Sequence, residues 1–305
     1  MKRAERGVAV VMAMGVVSLA AIVGSAILTT QYAWSRRADL TAQYAQALEL
    51  LQAGSDWACA VLSDDQRMSG VDHLGEPWAV RLPAMPIDNG ELVGHIEDQQ
   101  GLFNLNNIAY DGSVNALHLA RFQRLLALLE LPSTLADSLA DWIDDDAQPR
   151  GAHGAEDEYY MRLDPPYRSA NRPLIDIDEL ALVRGFDSGT RARLAPYVAA
   201  LPGLSAINVN TAPPEVLAAV IDGLGLGAAR ALVGRRSLSH FRSSAEFVAQ
   251  VPKEATVALP DIRVGSEYFV ATMRVNSGGA QVQGKALLAR REPGRWPAVV
   301  WRKIQ

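Results

Sequence analysis

The residues with the clearest potential for chemistry are carboxylates that crowd into residues 137–158. Eight acids face one base there, Arg150, so this short segment has a net charge of −7 within a chain of net charge −5. The acids are Asp137, Asp141, Asp144, Asp145, Asp146, Glu156, Asp157 and Glu158. Carboxylates at this density repel one another unless water solvates them or a cation bridges them. Hard oxygen ligands without cysteine or paired histidine suit Ca²⁺, so the segment predicts either a calcium site or a solvated acidic loop.

The spacing of these acids differs from that of an EF-hand. If Asp144 is loop position 1, Pro149 takes position 6 and Ala155 takes position 12, where an EF-hand needs glycine and glutamate. The segment is therefore not an EF-hand loop. The candidate metal ligands are Asp144, Asp145, Asp146, Glu156 and Asp157.

A second pattern combines glycines with arginines. Residues 207–215 read Ile-Asn-Val-Asn-Thr-Ala-Pro-Pro-Glu, and residues 224–231 read Leu-Gly-Leu-Gly-Ala-Ala-Arg-Ala. This resembles the helix–hairpin–helix unit of competence DNA-uptake proteins, in which hairpin glycines let backbone amides approach a phosphate. Arg230, Arg235 and Arg236 lie nearby, but the chain is acidic overall, with a pI near 5.6. A tight glycine turn explains the pattern without a ligand, so we expect no nucleic-acid partner.

The sequence contains no recognisable catalytic motif. Its five histidines are scattered, and it has no His-Glu-x-x-His, Gly-x-Ser-x-Gly or P-loop pattern. One cysteine, Cys59, excludes an internal disulfide and any multi-cysteine zinc or iron–sulfur site. We therefore predict that the protein is not an enzyme.

The first 35 residues predict a membrane segment. Lys2, Arg3 and Arg6 form a basic head, and residues 8–35 carry no charge. A helix over residues 8–30 would be about 35 Å long, which is enough to cross a bilayer core. The basic head predicts a cytoplasmic N-terminus, although Arg36 and Arg37 on the far side weaken that asymmetry. Three interpretations compete: a secretory signal peptide, a plain signal anchor, and a prepilin leader followed by its apolar helix.

The residues around Gly7 favour the third interpretation. A basic heptapeptide that ends in Gly7 and is followed by Val-Ala-Val-Val-Met resembles the N-terminus of type IV pilins and pseudopilins. The resemblance implies that a prepilin peptidase cuts after Gly7 and methylates the new N-terminus, Val8. Most members have glutamate at the fifth mature position, where it offsets the charged amine of a neighbouring subunit in the membrane. Here that position is Met12, which fits a subunit at a fibre tip and resembles the pseudopilin K family of type II secretion systems.

Beyond the membrane segment, the pattern predicts a sheet built from both ends of the chain. Residues 38–62 have helical spacing and good helix formers, which indicates a stalk that continues the membrane helix. Alternation predicts one strand through Trp78, Val80 and Leu82 and another over residues 92–96, with a turn at residues 88–90. Three more strands are predicted at Tyr268–Val275, Gln281–Ala289 and Ala298–Ile304, with a turn at Asn276–Gly279.

Helical spacing dominates between residues 115 and 252. The predicted helices are Leu117–Leu131, Ser133–Ile143, Asp176–Arg184, Thr190–Leu201 and Pro213–Ile221. The expected class is α+β: a pilin-like fold, in which a long N-terminal transmembrane helix packs on an antiparallel sheet, with a large all-helical insertion. The predicted parts are a leader (1–7), a transmembrane helix (8–35), a periplasmic helix stalk (36–66), a pseudopilin sheet (67–110 and 262–305) and an inserted helical domain (111–261).

Two further segments extend the resemblance to pseudopilin K over essentially the whole chain. Residues 98–106 resemble its acidic–glycine turn that leads into a Phe-Asn-Leu-Asn strand, and residues 141–146 and 154–160 resemble its acidic pattern. Calcium binding is known in that family, so the resemblance favours a structural Ca²⁺ over a solvated loop. It also implies that the hairpin-like unit is a structural piece.

The resemblance implies a minor pseudopilin at the tip of the type II secretion pseudopilus, which takes part in pseudopilus initiation and in export of folded proteins across the outer membrane. The implied partners are the I-type and J-type minor pseudopilins, the prepilin peptidase and the inner-membrane secretion platform. The implied location is the bacterial inner membrane, crossed once, with most of the chain in the periplasm. Two alternatives stay open here: a minor pilin of a type IV pilus or DNA-uptake system, and a membrane-anchored DNA-binding protein.

Overall fold

The computed structural model describes residues 2–81, 83–87, 90–277, 280–292 and 294–304; Leu82 and parts of the two predicted turns lie outside these ranges. The helices are α1 (Lys2–Met68), α2 (Ala116–Leu128), α3 (Leu135–Ile143), α4 (Asp157–Tyr160), α5 (Ser188–Leu194), α6 (Pro214–Val220), α7 (Leu226–Leu238) and α8 (Ser244–Val248). The strands are β1 (Met85–Ile87), β2 (Gly90–Asp98), β3 (Phe103–Asn104), β4 (Ala109–Tyr110), β5 (Ser113–Val114), β6 (Val198–Ala199), β7 (Ile207–Asn208), β8 (Ile262–Arg263), β9 (Tyr268–Ser277), β10 (Ala280–Ala289) and β11 (Ala298–Ile304). Short 3₁₀ helices lie at Pro77–Ala79, Leu105–Asn107, Ile177–Leu182 and Leu259–Asp261.

A single helix, α1, runs through the predicted leader, membrane segment and stalk. Its 67 residues correspond to a length of about 100 Å. An 18-residue window of this helix has a mean hydropathy of 2.4, and none of that window is buried. By length and composition α1 can cross a membrane, and the described chain leaves its apolar N-terminal half uncovered.

The five-stranded sheet combines both ends of the chain. Its strands run antiparallel in the order β1-β2-β9-β10-β11. The C-terminal half of α1 packs on one face, where Leu51 and Leu62 are buried in one cluster with Phe269. Gly54 permits the close approach, because a Cβ there would lie 2.7 Å from Sδ of Met273. This is the helix-on-sheet arrangement predicted from the sequence.

A helical insertion lies between β2 and β9. It has its own hydrophobic core, to which α2, α3, α6 and α7 contribute. Two parallel strand pairs, β3 with β6 and β7 with β8, join its distant segments. A small cluster that includes Leu201 and Tyr268 packs the insertion on the second face of the sheet. Lys303 of β11 adds ion pairs to Asp176 and Asp178, with Nζ–O distances of 2.7 and 3.0 Å.

Three predicted elements differ in the structure. Trp78 lies in a 3₁₀ helix and not in a strand, because Pro77 restricts the backbone and the buried indole donates a hydrogen bond to Glu76 Oε2 at 2.8 Å. The predicted helix over residues 190–201 ends at Leu194, since Pro196 has no backbone N–H to continue it, and β6 follows. The predicted helix over residues 176–184 is a shorter 3₁₀ helix.

The Phe-Asn-Leu-Asn segment also differs from the prediction. Its extended part, Phe103 and Asn104, pairs with β6 and not with the five-stranded sheet. Asn106 Nδ2 donates to the backbone carbonyls of Leu174 and Leu201, at 2.9 and 3.0 Å. Apolar residues between positions 103 and 109 therefore belong to the core of the insertion, although the sequence-based division assigned residues up to 110 to the sheet.

Candidate metal centre

Acidic side chains meet where α3 ends and α4 begins. Asp144 and Asp146 follow α3, and Glu156 directly precedes α4. Each of the three offers a carboxylate oxygen, and these oxygens all lie within 4.8 Å of one another. Asp141 lies one turn earlier on α3 and is fully buried. The loop between the two helices thus brings acids from both of its ends together.

Backbone contacts fix this loop around Asp141. Its Oδ2 accepts a hydrogen bond from Arg150 N at 2.9 Å, and Arg150 O accepts one from Gly154 N at 3.0 Å. A Cβ on Gly154 would lie 2.2 Å from Asp141 Oδ2, so only glycine fits at this close approach. Ser138 Oγ donates to the carbonyl of His153 at 2.9 Å. These contacts hold the loop against the end of α3.

Three carboxylate oxygens of the cluster lack a hydrogen-bond partner. Asp141 Oδ1, Asp144 Oδ1 and Glu156 Oε1 are buried and have no donor among the described residues. The three residues are at most 3% exposed. Burying an unpaired carboxylate oxygen is costly, and a bound cation would remove that cost.

Burial and mutual repulsion raise the pKa values of these carboxyls. The pKa of Asp144 rises to about 6, chiefly through burial and then through the charges of Asp146 and Asp141. The pKa of Glu156 rises to about 7, again through burial first and then through Asp141 and Asp144. Burial also raises the pKa of Asp141, against two backbone hydrogen bonds that lower it. The ionised carboxylates are therefore destabilising here unless a cation compensates their charge.

The donor set fits calcium. The acids that converge offer carboxylate oxygens alone, which suits a hard cation. An irregular loop suits Ca²⁺ better than Mg²⁺, because Mg²⁺ demands a stricter octahedron and gives up its waters reluctantly. Asp144, Asp146 and Glu156 would hold the ion, with Asp141 as a fourth donor.

Comparisons with known proteins give the family of the chain. Residues 101–203 and 207–263 match family models described as protein K of the type II secretion system. Protein K of Pseudomonas aeruginosa is 35% identical to this chain, over 97% of the chain and 92% of the relative. Protein K of Klebsiella pneumoniae is 34% identical, over 99% of the chain and 97% of the relative.

This chain belongs to the type II secretion system protein K family.

A solved structure extends the likeness to the fold. A chain of the GspK–GspI–GspJ complex from the enterotoxigenic Escherichia coli type 2 secretion system matches with a TM-score of 0.79 and 28% identity, over 88% of this chain and 99% of that chain. The predicted pilin-like α+β fold is confirmed. The chain is a minor pseudopilin of type II secretion. This assignment takes the place of the two alternatives left open by the sequence, a type IV minor pilin and a membrane-anchored DNA-binding protein.

The five metal ligands predicted from the sequence divide into two groups. Asp144, Asp146 and Glu156 converge, as described above. Asp145 is exposed, and its backbone N donates to the Gly112 carbonyl at 3.0 Å, on the β4–β5 turn. Asp157 Oδ1 accepts hydrogen bonds from N and Oγ of Ser169, both at 3.0 Å. Sequence reasoning missed Asp141, although its position one helical turn before the acidic run is a local signal.

The predicted processing site lies on the uncovered part of α1. A Cβ placed on Gly7 would meet no described atom within 4 Å, and Val8 is 59% exposed. Met12 is 63% exposed. No described part of the chain therefore covers these three positions.

The hairpin-like unit consists of α6, α7 and the turn between them. Gly223 in this turn has a φ of 77°, and a Cβ there would lie 2.8 Å from the Glu254 carbonyl oxygen. Arg236 donates to the Val209 carbonyl at 2.7 Å. Gly223 and Arg236 thus have structural roles within this unit.

A second acidic group, Asp65, Asp72 and Glu76, lies at the end of α1 and in the loop that follows. It already contains a cation, because Arg290 donates to Asp65 Oδ2 at 2.7 Å and to Asp72 Oδ1. Arg290 also donates to the Ser266 carbonyl at 3.1 Å. This buried network ties the end of α1 to the residue after β10 and to the loop before β9.

Proposed function

We propose that this minor pseudopilin caps the pseudopilus at its tip and takes part in its initiation, and thereby in export of folded proteins across the outer membrane. The observation that carries the proposal is Met12, an exposed apolar residue of α1 at the position where most pilins have glutamate. An unpaired charge inside a membrane is costly. Without a carboxylate at Met12, the chain cannot neutralise the amine of a subunit above it. It therefore acts as a structural end subunit, and we propose no enzymatic activity for it.

Its proposed partners are the I-type and J-type minor pseudopilins. The similar E. coli chain was solved in a complex named for GspK, GspI and GspJ. In this chain, the uncovered apolar surface of α1 offers contact area within the membrane. Tyr44 and Trp57 are exposed further along α1 and offer aromatic contact area outside it.

The proposed location is the bacterial inner membrane, crossed once. The basic head of residues 2–6 favours a cytoplasmic N-terminus, which leaves the sheet and the insertion in the periplasm. In this arrangement the prepilin peptidase removes residues 1–7 and methylates Val8, and the inner-membrane secretion platform then engages the mature subunit. The exposure of α1 around Gly7 supports access for the peptidase.

The acidic cluster is proposed to bind one structural Ca²⁺. Asp144, Asp146, Glu156 and Asp141 supply the ligands. The unpartnered buried oxygens of three of these residues support the proposal. The ion would join the end of α3 to the start of α4 and so stabilise the insertion.

Mass spectrometry of the protein from cells tests the processing. The mature N-terminus is expected at a methylated Val8, because the basic heptapeptide precedes the apolar run and does not follow it. Gly7→Glu should retain the leader. Gly15→Ala is the matched control, since both glycines have open space around them, and it should be processed normally. An N-terminus beyond Ser25 would mean signal-peptide cleavage, and an intact leader in the unaltered protein would mean a plain anchor.

A further inference from the structure

Arg150, the one base in the acidic segment, lies beside the acidic cluster. Its Nε is 4.0 Å from Asp141 Oδ1, and a terminal nitrogen is 3.9 Å from Asp144 Oδ2. Both distances exceed that of a hydrogen bond. Arg150 Nε is itself buried without a hydrogen-bond partner in the described part of the chain. The guanidinium thus offsets the negative charge in part, but it leaves the carboxylate oxygens unsatisfied.

The backbone and the side chain of Arg150 are held very differently. Its backbone N and O are both engaged, by Asp141 Oδ2 at 2.9 Å and by Gly154 N at 3.0 Å. The side chain is 38% exposed and makes no hydrogen bond to any described residue that would fix its end within the cluster. The side chain can therefore turn into solvent while the loop keeps its shape.

We propose that Arg150 is a built-in competitor of the metal: it is the counter-ion of Asp141 and Asp144 in the metal-free protein, and it leaves the cluster when Ca²⁺ binds. This inference rests on the proposed calcium site. A divalent cation that contacts carboxylate oxygens at about 2.3–2.6 Å satisfies them better than a guanidinium that lies outside hydrogen-bond distance. The two cations also repel each other, so they do not share the same two acids.

The competition sets the apparent affinity for the metal. When a binding-competent state is populated only in part, the observed dissociation constant rises by the inverse of that fraction. If the guanidinium occupies the cluster about nine-tenths of the time, Ca²⁺ binds about tenfold more weakly than it would without Arg150. In the metal-free loop, the charge of Arg150 reduces the repulsion between the carboxylates of the cluster.

Calcium titration of the full-length protein in detergent tests the inference. Arg150→Gln should bind Ca²⁺ about tenfold more tightly than the unaltered protein, because the competitor is gone. Its melting temperature should be lower without metal and should recover at saturating Ca²⁺. Arg168→Gln is the matched control: Arg168 is 76% exposed and pairs at 3.8 Å with Asp157, outside the cluster, so the dissociation constant should change less than about twofold.

Chemical modification of arginine by phenylglyoxal is a second test of the exposure of Arg150, and it uses the unaltered protein. The rate at Arg150, followed by mass spectrometry of the peptide, should rise when Ca²⁺ is added, because the side chain moves into solvent. Unchanged or weaker Ca²⁺ binding by Arg150→Gln, or protection of Arg150 by Ca²⁺, would overturn the competitor role while leaving the calcium site intact. If neither the unaltered protein nor Arg150→Gln binds Ca²⁺, the calcium site itself fails, and Arg150 is a permanent counter-ion.

Discussion

Chelation of calcium should lower the melting temperature of the full-length protein in detergent, and added Ca²⁺ should restore it. A ligand that binds the folded state alone stabilises it by RT ln(1 + [L]/Kd), which is about 2.7 kcal/mol at roughly a hundredfold excess over Kd. Mg²⁺ should restore much less, because a loop with several buried carboxylates does not provide its strict octahedron. Thermal unfolding followed by circular dichroism, with chelator and then with each metal, is the measurement.

Two variants locate the response. Asp144→Asn combined with Glu156→Gln should abolish it, because the shapes of the side chains survive while the ligand charges do not. Asp145→Asn should respond to Ca²⁺ as the unaltered protein does, since Asp145 is exposed and outside the cluster. If the chelator leaves the melting curve of the unaltered protein unchanged, the segment is a solvated acidic loop.

Arg290→Met should destabilise the fold by about 3–5 kcal/mol, the usual loss when one partner of a buried ion pair is removed. Arg290 is 3% exposed, and its removal leaves Asp65 and Asp72 buried without their cation. Methionine keeps much of the side-chain volume, so the loss reports the charge. Arg291→Met is the matched control: this neighbour is exposed and lies over the Tyr268 ring, so its loss should be far smaller.

The loss of unfolding free energy caused by Arg290→Met should be smaller at acidic pH. Burial raises the pKa of both Asp65 and Asp72, and Arg290 opposes that rise. A carboxyl with a raised folded pKa contributes stability below its unfolded pKa, and this contribution is lost as the pH rises through the folded pKa. Without Arg290 the pKa values of both carboxyls rise further. Protonation of these carboxyls therefore stabilises the folded variant more than it stabilises the unaltered protein. Urea unfolding near pH 5 and near pH 8 measures this, and an equal deficit at both would contradict it.

The parts of the fold that were predictable from sequence are those with local patterns. Uncharged residues at positions 8–35 indicate α1, and alternation indicates β9, β10 and β11. The strand predicted through Trp78 was wrong, because alternating apolar residues also occur where a 3₁₀ helix buries a single indole. The placement of Asn106 was not predictable, because its partners Leu174 and Leu201 lie 68 and 95 residues away in the chain. The spacing of apolar residues along the sequence carries no information about contacts this far apart in the chain.

The candidate site shows the same division. The density of acids is a local property of the sequence, so the sequence alone singles out residues 137–158. Which acids converge depends on the path of the loop, which Gly154 and the backbone of Arg150 fix around Asp141. Asp145 and Asp157 are carboxylates of the same segment, but the backbone N of Asp145 donates to the Gly112 carbonyl and Asp157 Oδ1 accepts from Ser169 N, so neither joins the cluster.

The tip role also predicts how the fibre responds to a carboxylate at the fifth mature position. Met12→Glu should allow another subunit to add above this one, because glutamate neutralises the incoming amine within the membrane. Labelled subunits should then occur within the fibre shaft. Met14→Glu is the matched control, since it places the same charge on an equally exposed position in the wrong register, and it should not enter the shaft.

The position of the unaltered subunit in native pseudopili tests the central claim most directly. Antibodies against the helical insertion, coupled to gold and imaged by electron microscopy, measure that position on fibres from cells that produce all the pseudopilins. We expect label at one end of each fibre, because the proposed tip subunit has Met12 in place of glutamate and offers no carboxylate to the amine of a subunit above it. Label along the whole length of the fibres would contradict it.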